Sequence, residues 1–456
     1  MTMKKVSSAR EQALLILHKI VKDDAYANLQ AARSLAADNI AADDKRLITE
    51  LVYGTLRMQN ALDNILRQML KKPLSELPLW ILLILRLSLY QLVYLQKIPA
   101  SAAVNEGVNL AKKYGHKGTA ALVNGVLRNY LRHQEQYALP RPEDDILAYL
   151  TVTLSHPRWL AEYLLERFGR EAAIEFCLYN NQAHDVVIRT NTLKLGRPQL
   201  LSALHERGFA ARPGAFAPEA IILAQASGLF ASNLFSEGLF QAQDQASMLV
   251  AHALSPHPGS KVLDLCAAPG GKTCHLAQLM QNRGRIDALD IHEHKLGLMR
   301  QNYQRLGIDI IKEKQADARH LPAEYQAWAD YILLDAPCSG LGILSRRADA
   351  RWRKDLQDIM DMQKLSREIL LAAAEYLRPG GSLCFSTCTV TREENQDNVQ
   401  WFLEQRPDFE PEGFAQYLPS SLPQEILQKA ASGMLQLLPQ NEGIEGFFIS
   451  RLHKKG

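Results

Sequence analysis

The feature that most restricts the fold lies in the second half of the chain, where strand and helix signals alternate from about Gln241 onward. KVLDLCAA reads as a strand and is followed by a helix through His275 and Met280; RIDALDIH is a second strand, followed by a helix through Met299. YILLDAP, a long helix ending near Leu377, and SLCFSTC continue the series. Strands separated by helices predict a parallel, doubly wound sheet whose ligands bind at the carboxyl ends of the strands.

The first third reads differently. Between about Ser7 and His133 apolar residues recur at three- and four-residue spacing, as in Ala13, Leu14, Leu17 and Ile20, and no strand signal intrudes. Helices are predicted over 8–22, 43–57, 60–70, 78–95, 101–114 and 118–133. YALPRPEDD, from Tyr137 to Asp145, then breaks the periodicity. Between Ile146 and Phe240 helix signals (HPRWLAEYLLERFG, RPQLLSALHERGF) mix with strand signals (DVVIRTNTLK, AIILAQ). The predicted organisation is an all-α domain over 1–138, a small α+β linker module over 146–240 and an α/β Rossmann-like domain over 241–456.

With 47% hydrophobic and 22% charged residues in 456, the chain can fill several cores and is not a disordered polymer. Its formal charge of +3 announces no partner, but the first 135 residues hold 19 Lys/Arg against 11 Asp/Glu. Six cysteines without a CxxC pair fit a reducing compartment, and MTMKKVSSAREQ lacks the apolar stretch of a signal peptide, so a cytoplasmic location is expected. Leu77 to Leu95 is interrupted by Arg86, Ser88 and Gln91, which favours a buried core helix over a membrane span.

In KVLDLCAAPGGKT, Val262, Leu263 and Leu265 form the strand and Ala267 to Gly271 the small-residue loop where a ligand can approach a helix N-terminus. A phosphate-binding P-loop would need Gly at 266, which is Cys, and no GxGxxG occurs. Asp290 ends the second strand 26 residues beyond Asp264, and Asp317 falls where the third should end. In series with the glycine loop these acids favour a nucleoside cofactor without phosphates.

The fourth strand delivers Asp335, Pro337 and Cys338 to the same edge, and the fifth delivers Cys388. Cys384 reads as strand packing, Cys177 and Cys274 as structural, and Cys266 as part of the pocket wall. No metal is predicted. The thiols lack zinc spacing, the 13 histidines form no HExxH, and the zinc deaminase pattern would need Cys at 341, which is Leu.

DLCAAPGGKT, LLDAPCSG and STC, in this order, resemble the signature of S-adenosylmethionine-dependent RNA cytosine-5 methyltransferases of the NOL/NOP/Sun family. RTNTLK (Arg189 to Lys194) and AQDQAS (Ala242 to Ser247) are similar to that family's flanking segments. YGTLR and VNGVLRNY in the helical third resemble the RNA-binding NusB fold. The combination resembles the branch of the family acting on small-subunit (16S) ribosomal RNA or an assembly intermediate carrying it.

The resemblance implies that Cys266, Ala267, Ala268, Pro269, Gly270, Gly271 and Lys272 cradle the methionine part of S-adenosyl-L-methionine. Asp290 would hold the ribose and Asp317 the adenine amino group. It further implies that Cys388 is the nucleophile, that Cys338 assists product release, and that Asp335 hydrogen-bonds the cytosine and also belongs to the cofactor-binding set. The family's Arg-Arg-x-Pro-Asp segment is present here as Arg346, Arg347, Ala348 and Asp349 without the proline, a departure in loop shape and not in a reacting group.

Lys112, Lys113, Lys117 and Arg128 are candidates for phosphate contact, and Arg189, Arg346 and Arg347 for guiding RNA toward the crevice. Two rival functions share these motifs. One is a transfer-RNA cytosine-5 methyltransferase; the other is a catalytically silent RNA-binding assembly factor, against which the presence of both thiols and all the strand-end acids argues.

Overall fold

The three-and-four apolar spacing of the first third becomes α1 (Ala9–Lys22), α2 (Ala42–Arg57), α3 (Gln59–Met69), α4 (Leu79–Tyr94), α5 (Ala100–Tyr114) and α6 (Lys117–Arg132). The structure, a computed structural model, describes residues 8–23, 30, 34 and 40–456. Local chemistry sets the helix ends. Ser8 caps α1 by accepting from the Glu11 N–H, and Lys19 and Lys22 complement the dipole in its last turn. α4 is apolar around its whole circumference and buries Ile81, Leu83, Ile84, Leu85, Leu87 and Leu89, which makes it the central core helix. Arg86 within it forms a fork with Asp63, Nε to Oδ1 and Nη2 to Oδ2 both at 2.7 Å. Among the described residues no helix is long and apolar enough to cross a membrane.

The described chain divides into two compact units: residues up to Gln182 with Leu344–Lys354, and Ala183–Ile343 with Asp355–Gly456. The first unit therefore runs past the Pro-rich break at 137–145. It includes α7 (Arg158–Asn181), which buries Leu160, Leu164 and Phe176. It also includes the short segment after Ile343, in which Ala348 joins the helical core. There the buried Arg351 donates to Ser155 O (3.1 Å), Asn180 O (3.0 Å) and Asn181 Oδ1 (2.9 Å).

The second unit opens with β1 (Val186–Thr190), α8 (Arg197–Glu206), β2 (Ala211–Pro213), β3 (Ala220–Leu223) and β4 (Phe240–Ala242). They form an antiparallel sheet of order β2-β3-β1-β4, with Val187 opposite Ile222. α8 contributes Leu200 and Leu204 to a core with Ile188, Ile221, Leu223 and Phe240.

Next come α9 (Gln245–Leu254), β5 (Lys261–Asp264), α10 (Gly271–Leu279), β6 (Arg285–Asp290), α11 (Glu293–Leu306), β7 (Ile311–Gln315) and β8 (Ala329–Asp335). They are followed by α12 (Leu356–Tyr376), β9 (Leu377–Thr387), α13 (Gln396–Gln405), β10 (Phe409–Pro411), α14 (Gln424–Ala431), β11 (Met434–Leu437) and β12 (Phe447–Lys454). The large sheet has the order β10-β12-β9-β8-β5-β6-β7, with β11 pairing β12.

Pairing from β7 to β9 is parallel, as the alternation predicts. β12 instead runs antiparallel to β9, and β10 and β11 run antiparallel to β12. The expectation of a parallel sheet is corrected to a mixed one. No long crossover helix separates β11 from β12, so the chain can turn straight back, which parallel pairing forbids.

Candidate active site

β5 ends at Asp264, and the chain turns tightly into α10. Gly270 caps that helix with φ 93°, and a Cβ there would lie 2.5 Å from Met299 Cγ, so only glycine fits. The Thr273 hydroxyl donates to Asp264 Oδ2 at 2.7 Å and ties the helix start to the strand. Burial, aided by the nearby charge of Asp335, pushes the Asp264 carboxyl up to about 7.

Beside this loop lies a cleft of roughly 310 Å³ lined by residues that include Cys266, Ala268, Asp290, Ile291, Asp317, Asp335 and Pro337. Asp290 Oδ1 accepts the His292 N–H at 2.9 Å, which fixes the carboxylate at the end of β6. Asp317 is gripped by Arg319, with Nη2 to Oδ2 at 2.7 Å, and this bond holds its carboxyl down at about 2. Leu365 and Ile369 of α12 and the 55% exposed Ile291 add apolar wall. Carboxylates on apolar flanks suit the ribose hydroxyls and flat base of an adenosine, so the residues fit the nucleoside part of S-adenosylmethionine.

β8 and β9 bring the thiols together: Cys338 Sγ and Cys388 Sγ lie 3.4 Å apart, each partly buried. Asp335 is held from both sides, its Oδ2 by Lys272 Nζ (2.7 Å) and its Oδ1 by the Ser386 hydroxyl (2.8 Å). Lys272 also lies 4.9 Å from the centroid of the Phe447 ring. Burial opposes its charge, but Asp335 and the adjacent Cys388 raise the ammonium above its usual range. Sharing a hydrogen bond with Cys388, then burial, then the charges of Cys388, Glu394 and Asp335 push the Cys338 thiol far up.

Of the loop residues expected to cradle a cofactor, Cys266 and Ala268 line the cleft. Ala267 donates its N–H to Leu289 O (2.7 Å), Pro269 O accepts from Asn302 Nδ2 (3.2 Å), and Lys272 reaches Asp335. Arg189, expected to guide RNA, requires correction. It is wholly buried and bonded to Gln243 and to Gly271 O (2.7 Å), so its guanidinium braces the loop and is not presented to solvent. Arg347 is exposed and Arg346 partly so, within the segment belonging to the first unit. Lys112, Lys113, Lys117 and Arg128 are exposed on α5 and α6, with Lys113 paired to Glu11.

Sequence reasoning missed Ile291, which directly follows Asp290, together with Ser386 and Glu394. It also missed a buried trio in which Glu219 accepts from His252 Nε2 (3.0 Å) and His275 Nε2 (2.7 Å), joining residues far apart in the chain.

Family models match successive parts of the chain. The family model of 16S rRNA methyltransferase RsmB/F matches residues 251–453, the NusB family 7–132, and the RsmF/B-like ferredoxin-like domain 156–229. The probable ribosomal RNA small subunit methyltransferase B of Bacillus subtilis is 38% identical, over 99% of this chain and 100% of its own length. Its counterpart in Synechocystis is 37% identical, over 98% and 99%.

The crystal structure of PH0851 superposes with a TM-score of 0.83 at 27% identity, covering 99% of this chain and all of that one. NSun6 from Pyrococcus horikoshii, solved with SFG, gives 0.57 at 25% identity over 66% of this chain and 98% of its own. With full-length relatives above 30% identity and a cleft shaped for adenosine, the chain belongs to the RsmB/F family of S-adenosylmethionine-dependent 16S ribosomal RNA methyltransferases.

Proposed function

We propose that the chain methylates carbon 5 of a cytosine in 16S ribosomal RNA, within a small-subunit assembly intermediate, through a covalent bond between Cys388 and the base. The observation that carries this reading is the pair of thiols 3.4 Å apart beside an Asp335 carboxylate already held by Lys272. Carbon 5 of cytosine is a poor nucleophile, so a thiolate must first add to carbon 6. Cys388 forms the S–C6 bond, and its electron pair makes carbon 5 enamine-like. The Lys272 ammonium favours the attacking thiolate; Asp335 accepts from the exocyclic amine and, carrying the proton that Cys388 gives up, passes it to the ring nitrogen as that atom gains charge.

S-adenosylmethionine, when bound, supplies the methyl group that carbon 5 accepts. Cys266 to Lys272 would form the wall on its methionine side, Asp290 would hold the ribose and Asp317 the adenine. Removal of the carbon 5 proton then restores the C5=C6 bond and expels the Cys388 sulfur as thiolate. The Cys338 thiol, 3.4 Å from that sulfur, passes its proton to it as it departs, and the thiolate so formed takes the carbon 5 proton. Lys112, Lys113, Lys117 and Arg128 contact phosphates and position the RNA without reading its sequence. The target base must be unstacked to enter.

The test is methyl transfer to stripped small subunits followed by bisulfite mapping. A single new protected cytosine, lost with Cys388→Ala, is the expected result; transfer at full rate without that sulfur would overturn the proposal.

A further inference from the structure

Glu394 lies in the turn after Cys388 and is 1% exposed. Its Oε1 accepts the Ser339 N–H at 2.6 Å; its Oε2 accepts the Ser339 and Thr391 hydroxyls, each at 2.6 Å. Ser339 Oγ is also 2.8 Å from Thr389 Oγ1, and the Gly342 N–H donates to Cys388 O at 3.0 Å. Ser339 directly follows Cys338 and Thr389 directly follows Cys388. The neighbours of both thiols thus meet around one carboxylate.

We infer that Glu394 is a positioning residue: it fastens the loop bearing Cys338 to the loop bearing Cys388 and so sets the separation of the two sulfurs. The inference rests on the reaction proposed above for its consequence in turnover, and on the contacts and burial described here for its effect on the thiols. A neutral contact would join two loops without the desolvation cost of a buried carboxylate. Glu394 accepts three hydrogen bonds from neutral donors, while burial pushes its carboxyl above its ordinary range. The hydrogen bond with Cys388, burial, and the charges of Cys388, Glu394 and Asp335 push the Cys338 thiol up, so Glu394 bears on its reactivity as well as on its position.

The experiment follows alkylation of each cysteine by iodoacetamide, residue by residue in the full-length protein, as a function of pH. Glu394→Ala should raise the Cys338 rate about tenfold and leave Cys388 within about twofold. With RNA and S-adenosylmethionine the same variant should turn over about tenfold or more slowly and accumulate a denaturation-stable Cys388–RNA adduct, as a release defect requires. Glu394→Gln can still accept the Ser339 N–H and donate to a hydroxyl. It should suppress the adduct while leaving the Cys338 alkylation midpoint shifted to lower pH.

If the alanine variant does not fold, Glu394→Gln and Ser339→Ala carry the test. Folded variants whose Cys338 reacts at the wild-type rate and pH would overturn the inference; so would a loss of turnover with no adduct and unaltered thiols. The alkylation arm needs no RNA, so absence of any Cys388 adduct in the parent enzyme would count against the methylation mechanism and not against this clamp.

Discussion

Lys272 Nζ and Asp335 Oδ2 are joined at 2.7 Å across 63 residues of sequence, so the carboxylate that faces the two thiols carries its own cation. Lys272→Met keeps an unbranched stem near Phe447 and removes the charge. Turnover at neutral pH should fall about 100-fold, because a favourable charge is lost at both Asp335 and the Cys388 thiolate. The pH midpoint of Cys388 alkylation should move upward, since a nearby cation lowers a thiol pKa. An unmoved midpoint with the activity lost would assign Lys272 to substrate or cofactor binding alone.

The thiols should behave asymmetrically. Cys388→Ala should abolish turnover and yield no adduct. Cys338→Ala should permit attack yet slow release, leaving protein bonded to RNA on a denaturing gel. An adduct that needs Cys338 and survives loss of Cys388 would reverse the two roles.

Arg351 offers a test of stability away from chemistry. Its guanidinium is fully buried, and burial draws its pKa down to about 9 while three oxygens of the first unit accept its protons. Arg351→Met leaves those acceptors without a donor and should cost about 2–4 kcal/mol, read from urea unfolding. A loss below about 0.5 kcal/mol would show that water or a shifted backbone satisfies them.

Acid should destabilise the second unit through the Glu219–His275 contact. Burial lowers the His275 imidazole to about 4, against about 6.5 for an unfolded histidine. Between these values the unfolded chain binds the extra proton, so the stability contribution is present above about 6.5 and lost as pH falls toward 4. Burial pushes the Glu219 carboxyl up, but His275 and His252 together hold it below its ordinary range, which acts in the same direction. His275→Gln preserves a donor for Glu219 and should flatten the slope of stability over this window by about 1 kcal/mol per pH unit. Urea midpoints measured at each pH decide it; parallel curves for both proteins would refute the assignment.

The exposed lysines of α5 and α6 make a prediction in salt. Replacing Lys112, Lys113 and Lys117 with Gln should weaken RNA binding and reduce the slope of log K against log salt by about two to three. The smaller figure allows for Lys113, whose ammonium already has Glu11 as partner. An unchanged slope would remove the strip from the RNA interface.

Helix positions in the first third were legible because amphipathic period is a local property: the predicted 118–133 emerges as Lys117–Arg132. The thiols and strand-end acids were legible because a doubly wound sheet delivers every carboxyl-end residue to one edge. Arg189 was not, since its burial depends on a carbonyl 82 residues away, and an arginine destined for the interior looks in sequence like one destined for RNA. Glu394 escaped for the same reason, its partner Ser339 lying 55 residues upstream. The antiparallel edge was hidden because FFISRLHK carries no mark of which strand it will join.

The return of Leu344–Lys354 to the helical unit bears on how this protein could have been assembled or can be dismantled. Two modules joined by a single linker can be separated by one cut, but here the polypeptide crosses between them three times. Excising everything up to Gln182 would strand Arg351 and Trp352 in water, directly after the loop that carries Cys338. A protein truncated in this way should consequently lose solubility, because the residues that bury those two side chains are gone.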